Sequence, residues 1–169
     1  MITPAYGRLM ATYNRWMNEK LYAAAATLDE ARRRSDRGAF FKSLHGTLEH
    51  LIWADTAWLY RFTGRSIEGL APGSGLYDDF AALRARRREL DAEIETWAAG
   101  LDEDWLRRDF SYHSLAYARS YTRPAWVLVT HFFNHQTHHR GQATTLLMQF
   151  GIDPGVTDLP VLPELAAAD

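Results

Sequence analysis

The stretch Thr130-His131-Phe132-Phe133-Asn134-His135-Gln136-Thr137-His138-His139-Arg140-Gly141-Gln142 carries four of the seven histidines of the chain. On a helix, residues four apart lie on one face about a turn from each other, close enough for two imidazoles to reach one ion. His131/His135 and His135/His139 have that spacing, and His135/His138 are three apart. His131 and His139 are separated by two turns, roughly 12 Å along the axis. Every workable pair therefore contains His135, and spacing alone leaves its partner open among His131, His138 and His139. Zinc and similar ions take three or more protein ligands, so a third must come from elsewhere in the chain.

Working outward, Arg123-Pro124 opens this helix, with proline tolerated in its first turn, and the pattern runs to Met148 or Phe150 before Gly151 ends it. Trp126, Val127, Phe133, Leu146 and Leu147 supply its apolar bulk. Ahead of it, from Leu101 to Arg123, the helical pattern weakens, and Phe110 to Thr122 alternates loosely with many aromatic residues. A short β-hairpin or an ordered loop is expected there, with His113 in a surface or packing role and Tyr112, Tyr117 and Tyr121 placed to line a pocket. The tail, Ile152 to Asp169, carries three prolines and is expected to run extended along the surface.

Three further helices precede the hairpin. Thr3-Pro4 reads as an N-cap and first residue, and Leu9, Tyr13, Trp16, Met17, Leu21, Ala24 and Leu28 then recur on one face of a helix of about 25 to 30 residues. It fades into Arg32-Arg33-Arg34, where cations suit the C-terminal dipole. After a polar break around Ser35 to Gly38, the stretch from Phe40 to about Gly64 reads as the second helix. Thr47, His50, Ala54, Ala57 and Trp58 share one of its stripes, so His50 sits on a largely apolar face and is the candidate third ligand; His45 points away from it. Arg65 to Leu76, with Gly69, Pro72, Gly73 and Gly75, forms a loop long enough to cross one end of a bundle.

The third helix spans about Tyr77 to Gly100, with Phe80, Leu83, Arg87, Leu90, Ile94 and Trp97 facing inward. Its arginine cluster, Arg84 to Arg88, is balanced by Arg87/Asp91 and Arg86/Glu89 at helical spacing and is read as a solvated face. The fold class is thus all-α: a four-helix bundle with a long crossover between its second and third helices and a short hairpin before the fourth. Bundle cores host metals on side chains from facing helices, here the second and the fourth.

Composition narrows the function. At 169 residues, 47% hydrophobic, the chain is expected to form one domain over residues 1–169. A net charge of -2 gives no general pull toward nucleic acid or anionic membrane. There is no cysteine, so a metal would have nitrogen and oxygen ligands only. No basic and apolar leader opens the chain and no apolar run approaches the roughly 20 residues of a membrane span, so the expected location is cytoplasmic.

Tyr13-Asn14-Arg15-Trp16-Met17-Asn18, Leu48-Glu49-His50-Leu51-Ile52-Trp53-Ala54-Asp55-Thr56-Ala57-Trp58 and Asn134-His135-Gln136-Thr137-His138-His139-Arg140-Gly141-Gln142 together resemble the DinB/YfiT-like family, which is distinct from the DNA polymerase that shares the DinB name. The last segment is the most specific, and Glu49 stands where asparagine is commoner. The resemblance spans nearly the whole chain. It implies His50, His135 and His139 as metal ligands, a divalent ion such as zinc or nickel, and a homodimer. It also implies relatives that include thiol-dependent transferases and isomerases, in which the metal helps to activate the sulfur of a small thiol cofactor.

A three-histidine site with an open position can lower the pKa of bound water to about 7 or hold a thiol as thiolate. The leading expectation is a metal-dependent enzyme of the thiol-transferase or hydrolase type acting on a small molecule. The rival is a non-enzymatic bundle whose ion is structural or stored. A third reading makes the histidines ordinary core residues. Asp55, turned away from His50 by helical phase, and Arg140, beside His139, are both assigned structural roles.

Overall fold

The computed structural model describes residues 1–70, 76–114 and 117–166. Thr3 accepts a hydrogen bond from the Tyr6 amide at 3.2 Å, and Pro4 opens α1 (Pro4–Ala26). The helix stops short of the expected length, because the Thr27 hydroxyl turns back onto the Ala24 carbonyl at 2.8 Å and Asp29 caps a separate short helix, α2 (Glu30–Arg34). Hydroxyl and carboxylate side chains compete for backbone groups in this way and favour helix ends over helix interiors. Arg32, Arg33 and Arg34 occupy the last turn of α2, where their charge suits the negative end of the helix dipole.

The next helix, α3 (Leu44–Thr63), begins four residues later than the hydrophobic pattern predicts. Ser43 is its N-cap, accepting from the Gly46 amide at 3.1 Å. Phe40 and Phe41 lie instead in a turn closed by the Ala39–Lys42 bridge, with Lys42 at φ 66°. Gly64, at φ 71°, ends α3, and the Arg65 amide closes back on the Tyr60 carbonyl at 2.8 Å. Of the expected crossover, residues 71–75, with Pro72, Gly73 and Gly75, lie outside the described residues.

Asp79 caps α4 (Phe80–Ala99), and Asp102 caps α5 (Glu103–Arg107). The antiparallel hairpin follows, β1 (Asp109–Ser114) and β2 (Arg119–Pro124), with Tyr112 opposite Tyr121. Pro124 then leads into α6 (Ala125–Met148), the helix of the histidines. After it come a 3-10 turn (Leu159–Val161) and α7 (Pro163–Ala166).

Among the long helices, α1 packs against α4 and α6, and α3 packs against the same two. Leu21, Leu48, Leu83, Ile94, Phe132 and Phe133 meet in the core between them. Among the described residues no helix is long and apolar enough to cross a membrane. The tail departs from the expected extended surface run. Leu162 is fully buried against Tyr13 and Met17, the Tyr13 hydroxyl donates to the Thr157 carbonyl at 2.6 Å, and Glu164 pairs with Arg15 at 3.0 Å. Burial of one leucine is worth about 2 kcal/mol, enough to favour docking of a short, proline-stiffened segment.

The second departure is electrostatic. Arg87 faces inward, as its place in the apolar periodicity predicts, but the Arg87/Asp91 pair is not balanced on a solvated face: the two residues are only 2% and 3% exposed. Arg87 donates to Asp55 of α3 at 2.7 Å and pairs with Asp91 at 2.9 Å. Asn14 and Asn18 of α1 donate to the same Asp91 oxygen at 3.2 and 2.8 Å. Arg140 of α6 donates to Asn14 and, at 3.2 Å, to Thr137. One buried polar layer thus joins all four long helices. Burial raises the carboxyl groups of Asp55 and Asp91 above the ordinary range even though Arg87 pulls both down.

Candidate metal centre

α3 brings His50 to the face of α6 that carries His135 and His139. The His135 Nε2 lies 3.4 Å from the His50 Nε2 and 3.1 Å from the His139 Nε2. Ligand atoms of all three lie within 4.8 Å of one another. Two imidazole nitrogens that both present lone pairs repel at such distances unless a proton or a cation lies between them. A tetrahedral ion at 2.0–2.1 Å from each nitrogen sets neighbouring ligand atoms about 3.3 Å apart, so the donor set fits a metal in both chemistry and spacing.

Second contacts hold the rings. The Nδ1 of His139 lies 2.7 Å from the Gln142 Oε1, so Nδ1 carries the proton and the Nε2 lone pair faces the cluster. His50 is held by stacking: the Phe41 ring lies over it with centroids 3.9 Å apart and planes 19° from parallel, and stands 5.5 Å from the His139 ring. Gly46 permits this approach, since a Cβ there would fall 2.5 Å from the Phe41 carbonyl oxygen. Hydrophobic periodicity absorbs Phe41 into the helix and so misses it. The signal that exposes it is Ser43 three residues ahead of Gly46, an N-cap spacing.

Burial depresses all three imidazoles. His50 falls to about 4, through burial and then the neighbouring His139; His135 falls to about 3, through burial and then His139 and His50. His139 is lowered by burial against the opposing effect of Gln142. Neutral rings are the form that ligates a metal.

In the unfolded chain these rings titrate near 6.5, so between about 6.5 and their folded values the unfolded chain binds more protons. The metal-free protein is therefore expected to lose stability as pH falls from about 6.5 toward 4. The check is the urea midpoint across that range for the wild type and His135→Gln. An equally steep fall in the variant would remove His135 as a source. Gln142→Ala is expected to weaken metal affinity by about 10 to 100-fold, the usual cost of removing such an orienting partner. Chelator competition measures it, and unchanged affinity would contradict the role given to Gln142.

The remaining candidates stand outside the cluster. His131 lies one turn before His135, edge-on to the Trp58 ring at 5.2 Å. His138 is exposed beside Gln142, with its Nε2 at 3.3 Å from the amide nitrogen. His113 is exposed on β1, facing Ser120 across the hairpin at 3.4 Å. His45 points away from His50, as helical phase predicts, and bonds the Tyr77 carbonyl at 2.8 Å, while Glu49 accepts from the Tyr77 amide at the same distance. Asp55 and Arg140 belong to the polar layer. Tyr112 packs on Trp58 and Tyr121, so the hairpin extends an aromatic wall toward His131.

The profile of the DinB family matches residues 1–169. Protein DinB of Bacillus subtilis (strain 168) is 24% identical over 155 residues, covering 86% of this chain and 87% of that protein.

Proposed function

The chain belongs to the DinB family, and on that premise we propose that it holds a divalent ion, zinc or nickel, on His50, His135 and His139 and works as a metal-dependent enzyme on a small molecule. The observation that carries the proposal is the convergence of three imidazole nitrogens from two helices. When bound, such an ion supplies Lewis acidity and a lowered pKa for water or a thiol. The chain itself supplies neutral imidazoles, the Gln142 acceptor that orients His139, and the Phe41 ring that covers one side of His50. The lack of cysteine is compatible with a thiol supplied from outside, and the reaction class proposed, on the family resemblance and the open position on the ion, is a thiol-dependent transferase or a hydrolase.

A structural or storage ion is the alternative. Structural zinc sites are closed by four protein ligands, whereas the group found among the described residues has three, which leaves a position for water or substrate. The closed ring of helix contacts supports reading the fold as a four-helix bundle with its crossover between α3 and α4. A homodimer in the cytoplasm is part of the same proposal, and light scattering of the purified protein tests the dimer.

The test of function is elemental analysis followed by a screen of small thiols and electrophiles, with the metal present and after chelation. About one ion per chain and a chelation-sensitive activity are expected. Protein purified without metal that takes up none on addition of zinc or nickel would overturn the proposal.

A further inference from the structure

Among the described residues not every withdrawn guanidinium has an ion pair: Arg140 is buried but donates to the side chains of Asn14 and Thr137, whereas Arg61 has no side-chain acceptor. Arg15, Arg33, Arg86 and Arg87, all withdrawn from full exposure, each hold at least one carboxylate. Arg61, near the end of α3, is half-buried yet holds none among the described residues. Its Nη2 reaches only the His113 carbonyl at 3.4 Å, and its Nε is buried without a hydrogen bond. Its guanidinium lies on the Trp58 and Tyr112 rings, at 4.9 and 5.6 Å from their centroids. Withdrawal of a guanidinium from water without a counter-charge is costly, and an anion that completes it recovers that cost.

The position of this unpaired charge gives it meaning. Arg61 is eleven residues beyond His50, three turns along the same stripe of α3, and a helical side chain of this length leans back toward the N-terminus. Between the two lies a run of rings: His131 is 5.8 Å from His135, and Trp58 is 5.2 Å from His131. The path from His135 to the guanidinium is therefore roughly 16 Å at most, the same span as three helical turns. Arg119 and Arg123 lie over Tyr121, the next ring of the hairpin, and add positive potential at this end.

Resting on the metal reading above, we propose that Arg61 binds the carboxylate end of a small molecule whose other end meets the His50/His135/His139 centre, with the His131 and Tyr112 rings, which flank the buried Trp58, carrying the apolar middle. A carboxylate matches a lone guanidinium in two parallel hydrogen bonds. The accessible rings of His131 and Tyr112 favour a ligand with an apolar body over a free inorganic anion.

The test uses cobalt-loaded protein, in which a metal-bound thiolate gives a charge-transfer absorption. Titration with ω-mercaptoalkanoic acids of increasing length, and with the matching ω-mercaptoalcohols, reads the distance between the two ends. Short acids and alcohols should bind alike. At the length that spans to Arg61 the acid should bind about tenfold tighter than its alcohol, as a charge-assisted pair implies. Arg61→Met should abolish that difference while still taking up cobalt, and Arg61→Lys should retain part of it. Equal affinity of acid and alcohol at every length in the wild type, or a preference that survives Arg61→Met, would overturn the inference. Cobalt uptake with no thiolate band from either series would overturn the thiol reading beneath it, and failure to take up cobalt would overturn the metal site itself.

Discussion

His135→Ala is expected to abolish stoichiometric metal binding, with affinity falling by more than the roughly 100-fold that loss of an orienting neighbour costs. Both short approaches in the cluster pass through this residue, at 3.4 Å to His50 and 3.1 Å to His139. Without it, one ligand remains on α3 and one on α6, and two imidazoles do not satisfy an ion that takes three or more protein ligands. The control is His131→Ala, which removes a ring 5.8 Å from His135 but no member of the cluster. It should leave the metal content whole. Metal analysis after dialysis against a weak chelator reads both variants. Full metal in His135→Ala would sink the site, and equal loss in His131→Ala would place the wrong histidine in it.

The second large effect is on stability. Arg87→Met is expected to destabilise the fold by about 3–5 kcal/mol, the cost of leaving buried charge without its partner. Arg87 is buried between Asp55 and Asp91 at 2.7 and 2.9 Å, and its removal leaves two buried carboxylates without their ion-pair partner. Urea unfolding of wild type and variant measures the loss. Adding Asp55→Asn and Asp91→Asn to Arg87→Met should recover part of it, because the penalty lies in the orphaned charges rather than in the lost cation. A loss below about 1 kcal/mol for Arg87→Met would mean that the layer is hydrated and not a core element.

This layer also shows where reading the chain locally succeeds and where it stops. The Arg87/Asp91 pairing follows from helical spacing and is present, and Arg87 faces inward as its periodicity predicts, but the reading of the pair as balanced on a solvated face does not hold. Spacing within α4 says nothing of Asp55, Asn14 and Asn18, which come from other helices and make a buried pair tolerable. Phe41 is a similar case. Its apolar character suits the α3 pattern, yet the Ser43 cap excludes it from the helix and the bare Cα of Gly46 lets the preceding turn close over His50. The tail was misread because three prolines speak only against regular structure and are silent on whether Leu162 finds a cavity to fill.

What the amino-acid sequence by itself determined is local. Thr3 and Gly64 set helix ends, periodicity marked four long helices, the alternating aromatic stretch marked the hairpin, helical spacing put His135 in every workable pair, and the lack of cysteine restricted a metal to nitrogen and oxygen ligands. Spacing leaves the partner of His135 open, and only the family resemblance implies His139 and His50; it is the tertiary structure that brings His139, and not His131 or His138, together with His135 and with His50 from 85 residues away. The physical reason is range. Capping and periodicity act over one or two turns, whereas a ligand set depends on the rotation and offset of α3 against α6, which the packing of all four helices fixes together.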